Sequence, residues 1–234
     1  MDTWTDILKS LDWSPLFISL KTGIVATLLC FVFGILTAGW VMGRKSGVRA
    51  VVDSILTLPM VLPPTASGFF LLLLFSRRRP LGIYLYDHFN LRIVQSWGGC
   101  VIAASVISFP LMYRNARAAF EQVDINLIYA GRTLGMSDWK IFWKVVCPAA
   151  RPGIAAGTVL TFSRAIGEYG ATSMLAGNIP GKTATISQRI AMVIQNGDFV
   201  TAGIWVIIVM IIAFFIMMFM NMFADKSGNN RIQW

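Results

Sequence analysis

The chain has 234 residues, of which 56% are hydrophobic and 13% charged, and its formal net charge is +9. Soluble domains are about a quarter charged, so this balance excludes an ordinary soluble core and marks a membrane protein. Nucleic acid, the usual partner of a basic chain, is excluded as well, because the Lys and Arg residues punctuate long apolar runs instead of coating one face of a compact domain.

Asp2, Asp6 and Asp12 precede the first apolar run. They carry the wrong charge for a secretory signal, so that run is expected to remain in the mature chain. Trp4, Ile7, Leu8 and Leu11 recur at helical spacing and predict a short amphipathic helix in the interface. Apolar runs then follow at approximately 16–42, 52–75, 97–113, 154–176 and 200–223, each close to the ~20 residues that a hydrocarbon core requires. None alternates apolar and polar residues as barrel strands do, and a backbone in lipid must satisfy its own hydrogen bonds, so the runs are helices. The expected fold class is all-α: a polytopic helical membrane protein, one domain over 1–234 with five transmembrane helices. Cys30, Cys100 and Cys147 are widely spaced, form no C-x-x-C pair, and read as small apolar residues.

Eleven basic residues follow the first, third and fifth runs, against eight in the remaining segments. The positive-inside rule therefore places the N-terminus outside and the C-terminus in the cytoplasm. The exception is Arg77-Arg78-Arg79 on the outer side. It reads as a headgroup anchor by snorkelling, with anion attraction or contact with an acidic partner as the other readings.

The second run contains Pro59, Pro63 and Pro64. Each removes a backbone donor and obstructs the preceding turn, so this helix is expected to kink or unwind in mid-membrane. With Thr65, Ser67 and Gly68 beside the prolines, a helix lining a polar path is favoured over one that is merely bent. Segment 121–151 is too charged to cross a membrane and reads as two cytoplasmic helices, the first closed by Leu134-Gly135 and the second opened by Ser137. Trp139, Phe142, Trp143 and Val146 form an apolar stripe on the second, with Lys140 and Lys144 off it. Arg164 and Glu168, four residues apart in the fourth run, share a helix face. They are expected to pair, with contact between Arg164 and a passing anion as the second reading. Beyond them, Pro180-Gly181 predicts a turn, and Ile186, Ile190 and Val193 a short helix dipping toward the membrane.

Chemistry within this chain is not expected. Gly177 and Gly181 enclose three residues where a phosphate-binding loop before Lys-Thr needs four. His88 is the single histidine, without companions at metal-ligand spacing, and Glu121 and Glu168, the two glutamates, fall in different layers. No catalytic residue and no metal ligand is assigned.

The hairpin carries the specific signal. Tyr129-Ala130-Gly131-Arg132-Thr133-Leu134-Gly135, then Met136-Ser137 and, with nine residues between it and Gly135, Val145-Val146-Cys147-Pro148, resembles the coupling loop of binding-protein-dependent ABC import permeases. That pattern is E-A-A-x-x-x-G-x9-I-x-L-P. Tyr129 replaces its glutamate, Gly131 its second alanine and Cys147 its leucine. Leu58 to Thr65, Ser108 to Met112, Phe162 to Ala171 (with Gly170), Leu85-Tyr86-Asp87 and Asn178 to Thr183 are similar to segments of molybdate-type permeases. The resemblance implies a type I importer permease in the bacterial inner membrane, paired as a homodimer. It implies two copies of an ATPase that binds ATP and magnesium, and an extracytoplasmic binding protein that delivers molybdate. Tungstate or sulfate is the neighbouring alternative, and an ATP-independent anion channel or secondary transporter the more distant one.

Overall fold

A computed structural model describes residues 11–228. The amphipathic segment expected at Trp4, Ile7 and Leu8 lies outside them. Among the described residues the regular elements are all helical: α1 (Ser14–Met42), α2 (Ser46–Val61), α3 (Pro64–Phe75), α4 (Pro80–Phe89), α5 (Trp97–Glu121), α6 (Ile125–Thr133), α7 (Asp138–Ala149), α8 (Arg151–Ile166), α9 (Gly170–Ala176), α10 (Ile186–Gln195) and α11 (Phe199–Gly228).

Two helices are individually long and apolar enough to cross a membrane, Ser14–Met42 and Phe199–Met220. Two bent pairs reach that length together: α2 with α3, at 111°, and α7 with α8, at 73°. The helix boundaries depart from the apolar runs in several places. The second run begins early, at Ser46, because the basic segment with Arg49 is itself helical. α5 continues past Tyr113 to Glu121, for its last turns exchange lipid-like residues for Arg114 and Arg117 without any helix breaker. The fourth run is two helices, interrupted at Gly167–Tyr169. α4, between the second and third runs, has no counterpart among the expected elements; its alternation of Gly82, Tyr84, Asp87 and His88 with apolar residues has no strong period.

α1 and α5 run in the same direction and form the centre of the molecule. The Trp97 indole N–H donates to Thr22 Oγ1 at 3.0 Å near their N-terminal ends, and Cys30 Sγ donates to the Ser105 carbonyl at 3.3 Å midway. Glycine permits the close approach. A Cβ on Gly34 would lie 2.8 Å from Met112 Cγ, and one on Gly39 would lie 2.6 Å from the Phe142 ring. α8 returns antiparallel along α5, where Gly153 faces Ala119 and Gly157 faces Asn115. Several hydroxyls inside the bundle bond their own helices, as Thr27, Ser108 and Thr161 do, the last to the Gly157 carbonyl at 2.7 Å, which satisfies the buried hydroxyl locally.

α10 and the start of α11 close one end, and the rest of α11 runs beside α8. Gln188 organises the preceding loop: its Oε1 accepts the Thr185 N–H at 2.9 Å and its Nε2 donates to the Gly177 carbonyl at 3.0 Å. Ser19 Oγ on α1 accepts the Ile186 N–H at 2.8 Å. The expected apolar side of α10 is observed, with Ile186 and Val193 buried. α11 leaves Phe214, Phe215 and Phe219 exposed, the surface that a lipid-facing helix presents.

Candidate coupling hairpin and translocation path

The hairpin forms as its sequence dictates. Asp124 Oδ1 accepts the Asn126 N–H at 2.9 Å and opens α6. Gly135 then adopts φ +72°, a left-handed conformation that strains any residue with a Cβ. The Met136 N–H reaches back to the Gly131 carbonyl at 3.1 Å, which satisfies a carbonyl at the helix end. Ser137 Oγ accepts the Lys140 N–H at 3.4 Å and opens α7. Arg132 and Asp138 bridge the turn at 3.2 Å, an exposed pair of small energetic weight.

α7 is less regular than its sequence suggests. A π-turn occupies Phe142–Val146, and the Cys147 N–H bonds the Phe142 carbonyl. Pro148 explains its place, since the proline cannot donate to Lys144 and its ring crowds that carbonyl, so the turn before it widens. The extra residue divides the expected stripe. Val146 is buried and Phe142 packs edge-on against Phe120 with centroids 5.3 Å apart, while Trp139 and Trp143 face outward. Ile141 and Val146 join Ala38, Val41, Met112, Tyr113, Ala116 and Phe120 in one core, so the inner edge of the hairpin is fused to α1 and α5. Gly131 lies against this core; a Cβ there would sit 3.1 Å from Ile141. The outer edge presents Ile125, Leu127, Tyr129, Leu134 (80% exposed), Trp139 (66%) and Trp143. Ala130 and Thr133 are exposed beside them. Cys147 packs partly into the core and burial pushes its thiol up to about 11.

The second site is where two interrupted helices meet. Leu62 and Pro63 each precede a proline and each is extended, with ψ of 143° and 137°, because the proline ring excludes the helical region for the residue before it. Pro64 then starts α3 at a position that needs no N–H donor. The result is a corner, sharper than the expected kink. Pro59 is accommodated within α2 and makes no break.

The α8–α9 interruption is held differently. Arg164 Nη1 approaches Glu168 Oε2 to 2.7 Å, the expected pair, although Glu168 has left the helix. Glu168 Oε1 accepts the Ala171 N–H at 2.8 Å and so starts α9. The Glu168 side chain is 2% exposed and that of Arg164 34%. The two interruptions touch: a Cβ on Gly170 would fall 2.9 Å from Pro64 Cβ, and one on Gly68 would fall 2.6 Å from Ala171 Cα. Pro64, Thr65, Gly68, Gly170 and Glu168 are thus brought into one region. Pro63 and Thr65 are exposed there, whereas Ser67 and Gly68 are buried, Gly68 against Ala171 and Met174 of α9.

One polar cluster escaped sequence reasoning. Asp53 on α2 accepts from the Tyr113 hydroxyl and pairs with Arg117 on α5, and Glu121 pairs with both Arg117, at 2.9 Å, and Arg49. Hydrogen bonding to Asp53 holds the Arg117 guanidinium above its ordinary value. A cavity of about 440 Å³ opens beside these residues. The i,i+4 spacing of Arg117 and Glu121 is visible in the sequence; the link from Tyr113 to Asp53, 60 residues away along the chain, is not.

With this geometry in place, the comparisons are specific. The model of the binding-protein-dependent transport system inner membrane component family matches residues 30–227. The molybdenum transport system permease protein ModB of Escherichia coli K12 is 44% identical over 191 residues, covering 81% of this chain and 83% of that protein. A putative molybdenum transport system permease protein of Bacillus subtilis, YvgM, is 33% identical over 93% of this chain and 96% of its own length. The sulfate transport system permease protein CysT of Escherichia coli K12 is 30% identical, over 90% and 76%. Among solved structures, a chain of a bacterial alginate ABC transporter superposes with a TM-score of 0.79 at 18% identity, covering 99% of this chain and 85% of that one. A chain of the MetNI methionine ABC transporter gives 0.68 at 17%, covering 91% and 94%. Those likenesses establish the fold, and the family match with the 44% relative establishes the kinship: this chain is a membrane protein and belongs to the family of binding-protein-dependent transport system inner membrane components.

Proposed function

We propose that this chain is the membrane permease subunit of an ATP-driven importer of molybdate. The observation that carries the reading is the two-sided hairpin, fused to α1 and α5 on its inner edge and apolar and exposed on its outer edge. Such an element seats in a groove of a nucleotide-hydrolysing partner and moves with it as a rigid body. The relatives named for molybdenum transport support the choice of anion; sulfate is the second reading, supported by the sulfate permease relative.

In this mechanism two copies of the chain flank the path, with the N-terminus outside, the C-terminus in the cytoplasm, and five passes for each copy. A binding protein delivers the anion on the side away from the hairpin. The partner ATPase binds ATP and magnesium and closes; the hairpin carries that displacement to the meeting point of the two interrupted helices. Irregular backbone is tolerated at membrane depth where it is covered by protein or borders water, which suits Pro63, Pro64, Thr65 and Gly170 to a gate. Arg164, neutralised by Glu168, keeps the region polar without a tight anion trap. The chain contributes motion and a path, and the partner contributes the hydrolysis.

The test is reconstitution of the chain with its ATPase and binding protein in proteoliposomes. ATP-dependent molybdate accumulation, competed weakly by sulfate, is the expected result. Anion flux through the chain alone, without ATPase, would replace the importer with a channel.

A further inference from the structure

The sequence reads Arg77 and Arg78 first as headgroup anchors and gives Arg92 no role, and the fold gathers all three. The C-terminal end of α3, α4 and the segment before α5 border an open cavity of about 410 Å³ lined by Leu85, Val94, Gln95 and the exposed Arg77, Arg78 and Arg92, among others. It lies at the N-terminal end of α5, whereas the hairpin follows the C-terminal end; 25 helical residues separate the two, roughly 37 Å.

Three features make this cavity more than a loose basic rim. First, among the described residues no carboxylate pairs with Arg77, Arg78 or Arg92. Secondly, the Arg77 guanidinium lies over Tyr86, 3.8 Å from the ring centroid. Stacking fixes its plane and leaves its in-plane N–H donors available. Thirdly, the walls are preformed. A Cβ on Gly82 would fall 2.1 Å from the Ser76 carbonyl, so α4 is clamped over the end of α3. Gln95 takes a left-handed φ of +57°, uncommon for a residue with a side chain, while its N–H donates to the Leu175 carbonyl of α9 at 3.1 Å. The cavity wall is therefore tied to the same short helix that meets the Pro63–Pro64 corner.

We propose that Arg77, Arg78 and Arg92 form a holding site for a tetrahedral oxyanion dianion on the face opposite the coupling hairpin. Guanidinium forks match two oxygens of such an anion. The space is more than ten times the ~30 Å³ share of a water molecule, so the anion keeps part of its hydration and is held weakly enough to be passed on. The choice of anion rests on the importer reading.

The test uses the whole complex, this chain with its ATPase, in nanodiscs of phosphatidylcholine alone and without binding protein. Radiolabelled molybdate and sulfate are the probes in equilibrium dialysis. The wild type binds both, more weakly as salt rises. R77Q/R92Q binds about a hundredfold more weakly, about tenfold for each guanidinium removed, with basal ATP hydrolysis unchanged. R77K/R92K, which keeps the charge and loses the fork, falls between them. Arg92→Gln alone provides the reading should the double variant lose basal hydrolysis through misfolding. Equal binding by wild type and variants overturns the proposal. In nanodiscs containing phosphatidylglycerol, retention of that lipid by the wild type but not by R77Q/R92Q, with anion binding alike in both, also overturns it and gives the cavity to a headgroup phosphate. Failure of wild-type molybdate uptake defeats the importer reading and leaves the binding comparison intact.

Discussion

The two interruptions that meet at Gly170 are built by opposite means. At Leu62–Pro63 the backbone is extended because the following residues are prolines, a constraint that acts within the dipeptide and needs no partner. At Gly167–Tyr169 the interruption is held by one side chain, Glu168, which binds Arg164 on one helix and the Ala171 N–H of the next. A covalent corner keeps its shape through a transport cycle; one held by an ion pair can rearrange. In the proposed gate, this difference would make α2–α3 the fixed side and α8–α9 the yielding side.

Breaking the side-chain corner has the largest expected effect. Glu168→Ala leaves Arg164 without its counter-charge and the Ala171 N–H without its acceptor. The expected destabilisation is about 3 kcal/mol, near the lower end for a broken buried pair because Arg164 stays one-third exposed. Thermal unfolding in detergent measures it, and Glu168→Gln, which retains an acceptor oxygen, is expected to lose less. Equal stability of wild type and Glu168→Ala would show that the Glu168 charge does not hold the corner. P63A/P64A attacks the other side. Its stability falls by about 1 kcal/mol for each proline, chiefly through a freer unfolded chain. Uptake drops about tenfold as the corner loses its fixed angle, equivalent to a further ~1.4 kcal/mol on the transport step. Uptake at the wild-type rate would show that packing on Gly170 alone sets the angle.

A third turn, made by glycine, sharpens the comparison. Gly135→Val meets no neighbour within 4 Å, yet φ +72° costs a β-branched residue about 1–2 kcal/mol or more. ATP hydrolysis is expected to continue while molybdate uptake falls, and Gly135→Asn, which tolerates the left-handed region, is expected to retain more uptake. Coupled transport in Gly135→Val would remove the hairpin turn from the lever. The smallest effect concerns Cys147. With its thiol pushed up to about 11, it stays protonated near neutrality, so maleimide labels it slowly at pH 7 and faster as pH approaches that value. Rapid labelling at pH 7 would place Cys147 outside the core that α7 shares with α1.

These contrasts also explain which parts are legible in the sequence. Proline and glycine state backbone constraints locally, so the α2–α3 corner, the Gly135 turn and the Ser137 cap are readable residue by residue. Arg164 and Glu168 are readable as a pair through their spacing, but on the premise of a continuous helix, which Gly167 ends. The π-turn is hidden because a stripe of apolar residues implies a constant period, which Pro148 disrupts. The Asp53–Tyr113–Arg117 cluster and the packing of Pro64 on Gly170 join distant parts of the chain, and no local pattern encodes them.

Phe142 lies in the space that Gly39 leaves open, and a ring lodged in a notch cannot slide along α1 without vacating it. On the proposed reading partner and long helix are geared together: a push on the outer tryptophans enters α1 at Gly39 and travels about 20 residues, roughly 30 Å, to the end that holds Ser19 and the α10 loop. The far mouth would register the nucleotide state through α1 as a pushrod, even before the gate residues move.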